Sequence, residues 1–445
     1  MRTSIRRALM GSLSSIIILA LAAVLLALSP TRTRVIAAAI QPDPAVIERG
    51  RYLATASDCT ACHTTRNGPP FAGGLPIPSP IGVIFSTNIT PDRESGIGAY
   101  SLADFDRAVR HGIAPRNITL YPAMPYPSYA HMTDPDVVAL YAYFMYGVPP
   151  VRAQNRRNEI PWPLSIRWPL AIWRKAFAPN PDAVVVYSTR YRDPIVARGA
   201  YLVQGPGHCG SCHTPRALTL QEKALDDSNE SYLGGGQVID GWLAVNLRGN
   251  RADGLGGWSD EQIIATLRSA RDPVHAVTGG AMSDVVVHST QYLTDADLRA
   301  VASYLKTLPP DRHPASSFAA DPATARALAA GEEVGRGAQL YDDNCAACHH
   351  TDGRGATRAL PAIAGNSSVL AADPTSIIHL ILQGSQLPGT AAAPSPLGMP
   401  GFGWRLSDQE VAELGTFIRQ SWGNRAPAIA PEQVHHLRET LARRP

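Results

Sequence analysis

The sequence predicts a mainly α-helical protein built from three tandem copies of one unit. Three recurrences carry that prediction. A C-x-x-C-H motif occurs in "DCTACHTT" (58–65), "HCGSCHTP" (208–215) and "NCAACHHT" (344–351), with first cysteines 150 and 136 residues apart. Upstream lie the related phrases "ERGRYL", "ARGAYL" and "GRGAQLY", which place Gly50, Gly199 and Gly337 nine, ten and eight residues ahead of the cysteine. Downstream lie three amphipathic stretches, "MTDPDVVALYAYFMYG", "LTDADLRAVASYLKTLP" and "LSDQEVAELGTFIRQSW". A spacing of this size marks repeated domains, not the short period of a solenoid.

Each unit reads in the same order. The glycine phrase is expected to start a short helix that runs into the cysteine motif. A middle helix follows in "SLADFDRAVRHG" from Ser101, "WSDEQIIATLRSA" from Ser259 and "DPTSIIHLILQGS" from Asp373. The last helix follows Thr133, Thr294 or Ser407, each with an acid three residues on: Asp136, Asp297 and Glu410. That is the capping-box pattern, although two of the three use Asp where Glu or Gln is usual. Apolar residues then recur at helical spacing, as in Leu298, Val301, Ala302 and Leu305. The expected domains are 43–150, 190–310 and 330–425.

The first linker, 151–189, contains "PWPLSIRWPLAIWRKAF", with Trp162, Trp168 and Trp173 among three prolines. Proline at this density blocks a continuous helix. Its tryptophans suit either packing on the adjoining domains or a docking surface for a partner or the membrane interface. The second linker, from Pro309 to about Thr324, is rich in Pro, Ala and Ser and reads as a spacer.

At 445 residues, with 45% hydrophobic content, the chain has room for about three globular domains. The first 39 residues hold Arg2, Arg6, Arg7, Arg32 and Arg34 and no acid; without them 35 basic residues face 37 acidic ones. Nothing in that balance suggests nucleic acid, which favours a strongly basic surface. "MRTSIRR", the apolar run Ile16–Leu28 and Ala37–Ala39 read as an export signal over residues 1–39. Leu9–Leu28 also supplies 20 uncharged residues, the length of a retained membrane anchor. Either reading places the bulk of the chain outside the cytoplasm.

Six cysteines in an exported chain would ordinarily form three disulfides. The spacing overrides the count: C-x-x-C-H is the attachment signature of c-type haem. Two thiols add across the vinyl groups, and the adjacent imidazole binds iron from the proximal side. The residues are Cys59, Cys62 and His63; Cys209, Cys212 and His213; and Cys345, Cys348 and His349, for three covalent haem c groups. Structural zinc needs four ligands where each motif offers three, and no βαβ pattern supports a thioredoxin-like dithiol.

The sixth ligand is assigned from the scarce methionines. The second domain has only Met282 and the third only Met399, while the first offers Met124, Met132 and Met145. Met124, Met282 and Met399 each precede the last helix, 61, 69 and 50 residues after the proximal histidine. Met132 and Met145 fall at the start and on a face of that helix, as core or surface. His111, His131, His275, His288 and His379 are rival ligands, but none recurs in all three units. His/Met ligation raises the reduction potential and closes the distal position, as electron transfer requires.

Long phrases carry a further resemblance. "STNITPDRESGIGAYSLADFDRAVRHGI", "LYPAMPYPSYAHMTDPDVVALYAYFMYGVPPV", "IPWPLSIRWPLAIW" and "MSDVVVHSTQYLTDADLRAVASYLKTLP" resemble recurrent phrases of the triple-haem cytochrome c subunits of membrane-associated bacterial dehydrogenases. The group serves alcohol dehydrogenases with a quinone cofactor and flavin-dependent gluconate, sorbitol and related sugar dehydrogenases. The resemblance implies three tandem class I cytochrome c domains in a periplasmic complex at the inner membrane. It also implies electron flow from a catalytic subunit to membrane ubiquinone. In such folds a proline carbonyl after the motif commonly holds the proximal histidine: Pro361 in the third domain, with Pro69 or Pro70 and Pro215 as weaker candidates. The chain has no G-x-G-x-x-G fingerprint and no triad, so no catalytic residue is assigned to it. The alternative is a haem enzyme with an open distal site, of peroxidase or thiosulfate oxidoreductase type.

Overall fold

A computed structural model describes residues 43–183, 187–272, 277–311, 316–332, 335–357 and 359–443, with scattered positions between 24 and 36. Most of the expected export signal and His275 lie outside the described residues. Among the described residues, no helix is long and apolar enough to cross a membrane. Helices dominate, joined by loops and two-stranded hairpins. The chain separates into two compact units: residues 1–54 with 62–185, and residues 55–61 with 186–445.

In the first unit, helix Pro44–Ala56 meets helix Asp134–Ala142, which continues into a wider turn at Tyr143–Gly147. Leu102–His111 forms the middle helix, with Ser101 and Asp104 closing a full capping box. Phe71, Phe105 and Phe144 pack between them, Phe71 edge-on to Phe144 with centroids 5.3 Å apart and Phe105 tilted against it at 6.1 Å. The linker begins strapped to this unit: Asn88 Nδ2 donates to Val151 O (2.7 Å), and Glu159 pairs with Val83. Residues 161–169 are exposed throughout, and helix Trp168–Phe177 follows with Pro169 in its first turn, where proline is tolerated. The linker tryptophans divide: Trp173 packs edge-on against Tyr126 at 6.4 Å, whereas Trp162 stays 79% exposed.

In the second unit, Pro194–Gln204 packs on Asp295–Thr307, and Arg336–Asn344 on Asp408–Gln420. Leu298, Val301, Ala302 and Leu305 are all buried, as their spacing requires. The middle helices are Asp260–Ser269 and Thr375–Gln383. Several elements went unpredicted, among them two helices of the second unit. Helix Ala281–His288 carries Met282, and helix Pro431–Ala442 buries Val434, Leu437 and Leu441 beyond residue 425.

The expectation that the repeated glycines start helices is corrected. Gly50 and Gly199 sit mid-helix, and Gly337 is the second residue of its helix. What recurs is a crossing point. A Cβ on Gly50 would lie 1.9 Å from Ala139 O, one on Gly199 1.9 Å from Ala300 O, and one on Gly337 2.6 Å from Glu413 O. Only a residue without a side chain lets two helix backbones approach so closely.

The preceding arginine explains the aspartates at the third helical position. Arg49 pairs with Asp136, Arg198 grips Asp297 through two bonds of 2.8 Å, and Arg336 reaches Glu410 at 2.8 Å. Thr133 and Thr294 accept from the Asp136 and Asp297 amides, while both aspartate side chains turn to the arginine of the crossing helix. The longer Glu410 does both, closing the box on Ser407 and binding Arg336.

Candidate functional site

Each C-x-x-C-H motif lies on or enters a short helical turn: Cys59–His63, Gly210–His213 and Ala346–His349. That turn is compact enough to present both thiols and the imidazole together. His63 Nδ1 lies 2.6 Å from Thr87 O, His213 Nδ1 2.7 Å from Val245 O, and His349 Nδ1 3.0 Å from Pro361 O. A proton held on Nδ1 by a carbonyl leaves the Nε2 lone pair for a metal. Burial also lowers the pKa of all three imidazoles, which favours the neutral, ligating form.

Pro361 therefore serves as expected, but Pro69, Pro70 and Pro215 do not. Pro69 O and Pro215 O are taken by local turns, accepting from Ala72 N and Lys223 N. The first two repeats insert hairpins, Pro76–Ser79 with Gly82–Phe85 and Val238–Ile239 with Trp242–Leu243. The chain returning from each hairpin brings in the Thr87 or Val245 carbonyl. The readable signal was the residue before a recurring asparagine, "TN" at 87–88 and "VN" at 245–246.

One apolar cavity of about 480 Å³ in the second unit gathers eight of the expected residues. Cys209, Cys212, His213 and Met282 line it together with Cys345, Cys348, His349 and Met399. Met282 enters from the first turn of helix Ala281–His288, behind Gly279 and Gly280. Those glycines are needed because the Trp242 indole lies where their side chains would be, 2.5 and 2.3 Å from a built Cβ. Met399 sits on strand Leu397–Pro400, opposite Ser385. Trp242 in turn stacks on His379, with centroids 4.4 Å apart, and His379 Nδ1 lies 3.0 Å from Gly241 O. His379 is thus engaged away from the distal positions.

In the first unit, Met124 occupies the turn before helix Tyr126–Tyr129, half-buried, in the same unit as Cys62 and His63. Met132 is buried just before the last helix, and Met145 is half-buried in the wider turn that ends it. His288 is exposed at a helix end, and His111 is buried on the middle helix.

The donor set suits c-type haem: paired thiols, an oriented imidazole and a thioether around an apolar space. Such a group, when bound, supplies one-electron chemistry at iron. The paired thiols would hold it covalently, and the carbonyl on each Nδ1 would fix the imidazole plane.

The comparisons agree with this chemistry. Residues 196–309 and 334–422 match the cytochrome c family. The chain is 52% identical over 403 residues to the gluconate 2-dehydrogenase cytochrome c subunit of Pantoea cypripedii, covering 90% of this chain and 91% of that one. It is 50% identical over 402 residues to the alcohol dehydrogenase (quinone) cytochrome c subunit of Gluconobacter oxydans, covering 90% of this chain and 84% of the other. It is 36% identical over 433 residues to the fructose dehydrogenase cytochrome subunit of Gluconobacter japonicus, covering 91% and 86%. With thiols, imidazoles and thioethers placed as described, and with this similarity along nearly its whole length, the chain belongs to the cytochrome c subunits of bacterial dehydrogenases.

Proposed function

We propose that this chain is the electron-transfer subunit of a dehydrogenase complex, with three covalent haem c groups in three tandem class I cytochrome c domains. The single observation that carries the reading is the cavity that gathers two complete Cys/Cys/His/Met sets. The first motif completes the count because its surroundings share the same glycine crossing and arginine–acid pair. The ligand sets are His63 with Met124, His213 with Met282, and His349 with Met399. Electrons enter from a separate catalytic subunit carrying a flavin or quinone cofactor and leave to membrane ubiquinone. The chain works in the periplasm at the inner membrane, delivered there by its N-terminal segment.

A pyridine haemochrome assay should report three c-type haems per chain, and two or fewer would refute the count. Co-purification with a large catalytic subunit supports the complex. A free monomer unable to accept electrons from any such enzyme would sink it. Stoichiometric carbon monoxide binding to one reduced haem would instead favour an open distal site.

A further inference from the structure

Nine positions after the acid that meets the crossing arginine, the three repeats carry Met145, Lys306 and Arg419. The three differ in charge and in exposure: Met145 is neutral and half-buried, Lys306 is exposed, and Arg419 is 0% exposed. In the second repeat the Lys306 ammonium donates to Leu255 O (3.2 Å) and Trp258 O (2.6 Å). In the third, the Arg419 guanidinium donates to Val369 O (2.8 Å), Ala371 O (2.9 Å), Ala372 O (3.4 Å) and Pro427 O (2.8 Å).

All four of these Arg419 partners are neutral carbonyls. Among the described residues no carboxylate forms an ion pair with it, and Asp373 acts on it only at longer range. A buried charge is costly to place and is ordinarily paired with an opposite one. Here backbone carbonyls take the place of water around the guanidinium and leave its unit charge in the interior. Burial pushes its pKa down to about 10, which keeps it protonated at neutral pH.

That charge stands directly behind the wall of the cavity. Val369, whose carbonyl takes one Arg419 bond, lines the cavity, as does Ile418, the preceding residue of the helix. The same cavity is lined by Cys345, Cys348, His349 and Met399. Lys306 also bonds to two residues that line it, Leu255 and Trp258, but its ammonium is exposed and water screens its field. Met145 brings no charge to the corresponding place in the first repeat.

We propose that Arg419 tunes the third redox centre, holding the reduction potential at the Cys345–His349 motif above the value that the His349–Met399 pair alone would give. This rests on the reading that a c-type haem occupies that motif. Reduction takes one positive charge away from the iron, so a fixed cation nearby favours the reduced form. At an effective dielectric of about 20, a unit charge about 10 Å away biases a one-electron equilibrium by about tenfold, or about 59 mV. Of the three repeats, the third gains most from this position and the first gains nothing.

The test is a spectroelectrochemical titration of the haem-loaded full chain. Arg419→Gln removes the charge and keeps an amide donor for the carbonyls. It should lower one midpoint potential by about 59 mV, the same one that Met399→His moves, and leave the other two in place. Arg419→Lys keeps the charge and loses most of the bonds, so its potentials should stay near wild type while its stability to urea falls. Lys306→Gln should produce a smaller shift than Arg419→Gln. Ala372→Asp sets a carboxylate at an exposed position beside the guanidinium without removing any of its bonds. It should lower the same potential, and it decides alone if Arg419→Gln fails to fold. Unmoved potentials in Arg419→Gln, a shift at a different haem, or equal falls in Arg419→Gln and Arg419→Lys would each overturn the proposal and leave Arg419 as a brace. Three unmoved potentials in Met399→His would instead refute the ligand reading on which the proposal rests.

Discussion

Replacing Gly199 by alanine tests whether the glycine crossing holds the second unit together. The new Cβ would sit 1.9 Å from Ala300 O and 2.5 Å from its carbonyl carbon, both backbone atoms. Ordinary carbon–oxygen contact is well beyond 3 Å, so the two helices must separate by more than about 1 Å. A gap of that size forfeits a quarter to a half of the dispersion energy along the seam, and overpacking generally costs about 1–3 kcal/mol. Removing a mid-helix glycine returns up to about 1 kcal/mol, leaving a net loss of about 2 kcal/mol. Gly50→Ala should match it. Gly337→Ala should cost less, since its Cβ would meet Glu413 O at 2.6 Å near a helix start that can shift. Urea unfolding of the haem-loaded chain, followed by far-UV circular dichroism, gives the ranking. A Gly199→Ala protein as stable as wild type, or a costlier Gly337→Ala, would refute the crossing argument.

Met282→His and Met399→His should each lower the midpoint potential of one haem and leave the other two in place, as read by spectroelectrochemical titration. Arg198→Gln leaves the Asp297 carboxylate, 11% exposed, with half its grip gone, and should cost about 1–3 kcal/mol in the same urea assay. Burial, with Asp284 nearby, pushes the Asp58 carboxyl up to about 8. Its folded pKa thus exceeds the unfolded one, so the folded state holds the extra proton and stability falls as pH rises from about 4 to about 8, then levels. Asp58→Asn should remove that slope, and an unchanged urea midpoint difference between pH 5 and pH 8 would contradict it.

The motifs and helices were legible because their signals are local. Cysteine spacing, Ser/Thr caps and the period of Leu298, Val301, Ala302 and Leu305 need no knowledge of the rest of the chain. The glycine phrases were visible but misread as helix starts, because a close crossing depends on a partner helix about 90 residues away. The repeated Arg-Gly pair, matched to an acid at the third position of the last helix, was the available clue. Thr87 and Val245 were missed for a similar reason: their carbonyls reach the imidazoles only after a hairpin folds back. Trp242 had no local signature at all, since its place is set by Gly279, Gly280 and His379, from two other stretches of the chain.

The orientation of the thiols bears on how the protein is made. Burial pushes the thiols of Cys209 and Cys345 up to about 12 and that of Cys212 up to about 11, and all three face one interior space. A thiol held so far from its reactive thiolate form is a poor nucleophile toward a vinyl group. Thioether formation therefore belongs to the open chain, before Pro194–Gln204 and Arg336–Asn344 settle on their partner helices. Because both motifs line that interior, the side chains that would wall in one group also border the space of the other.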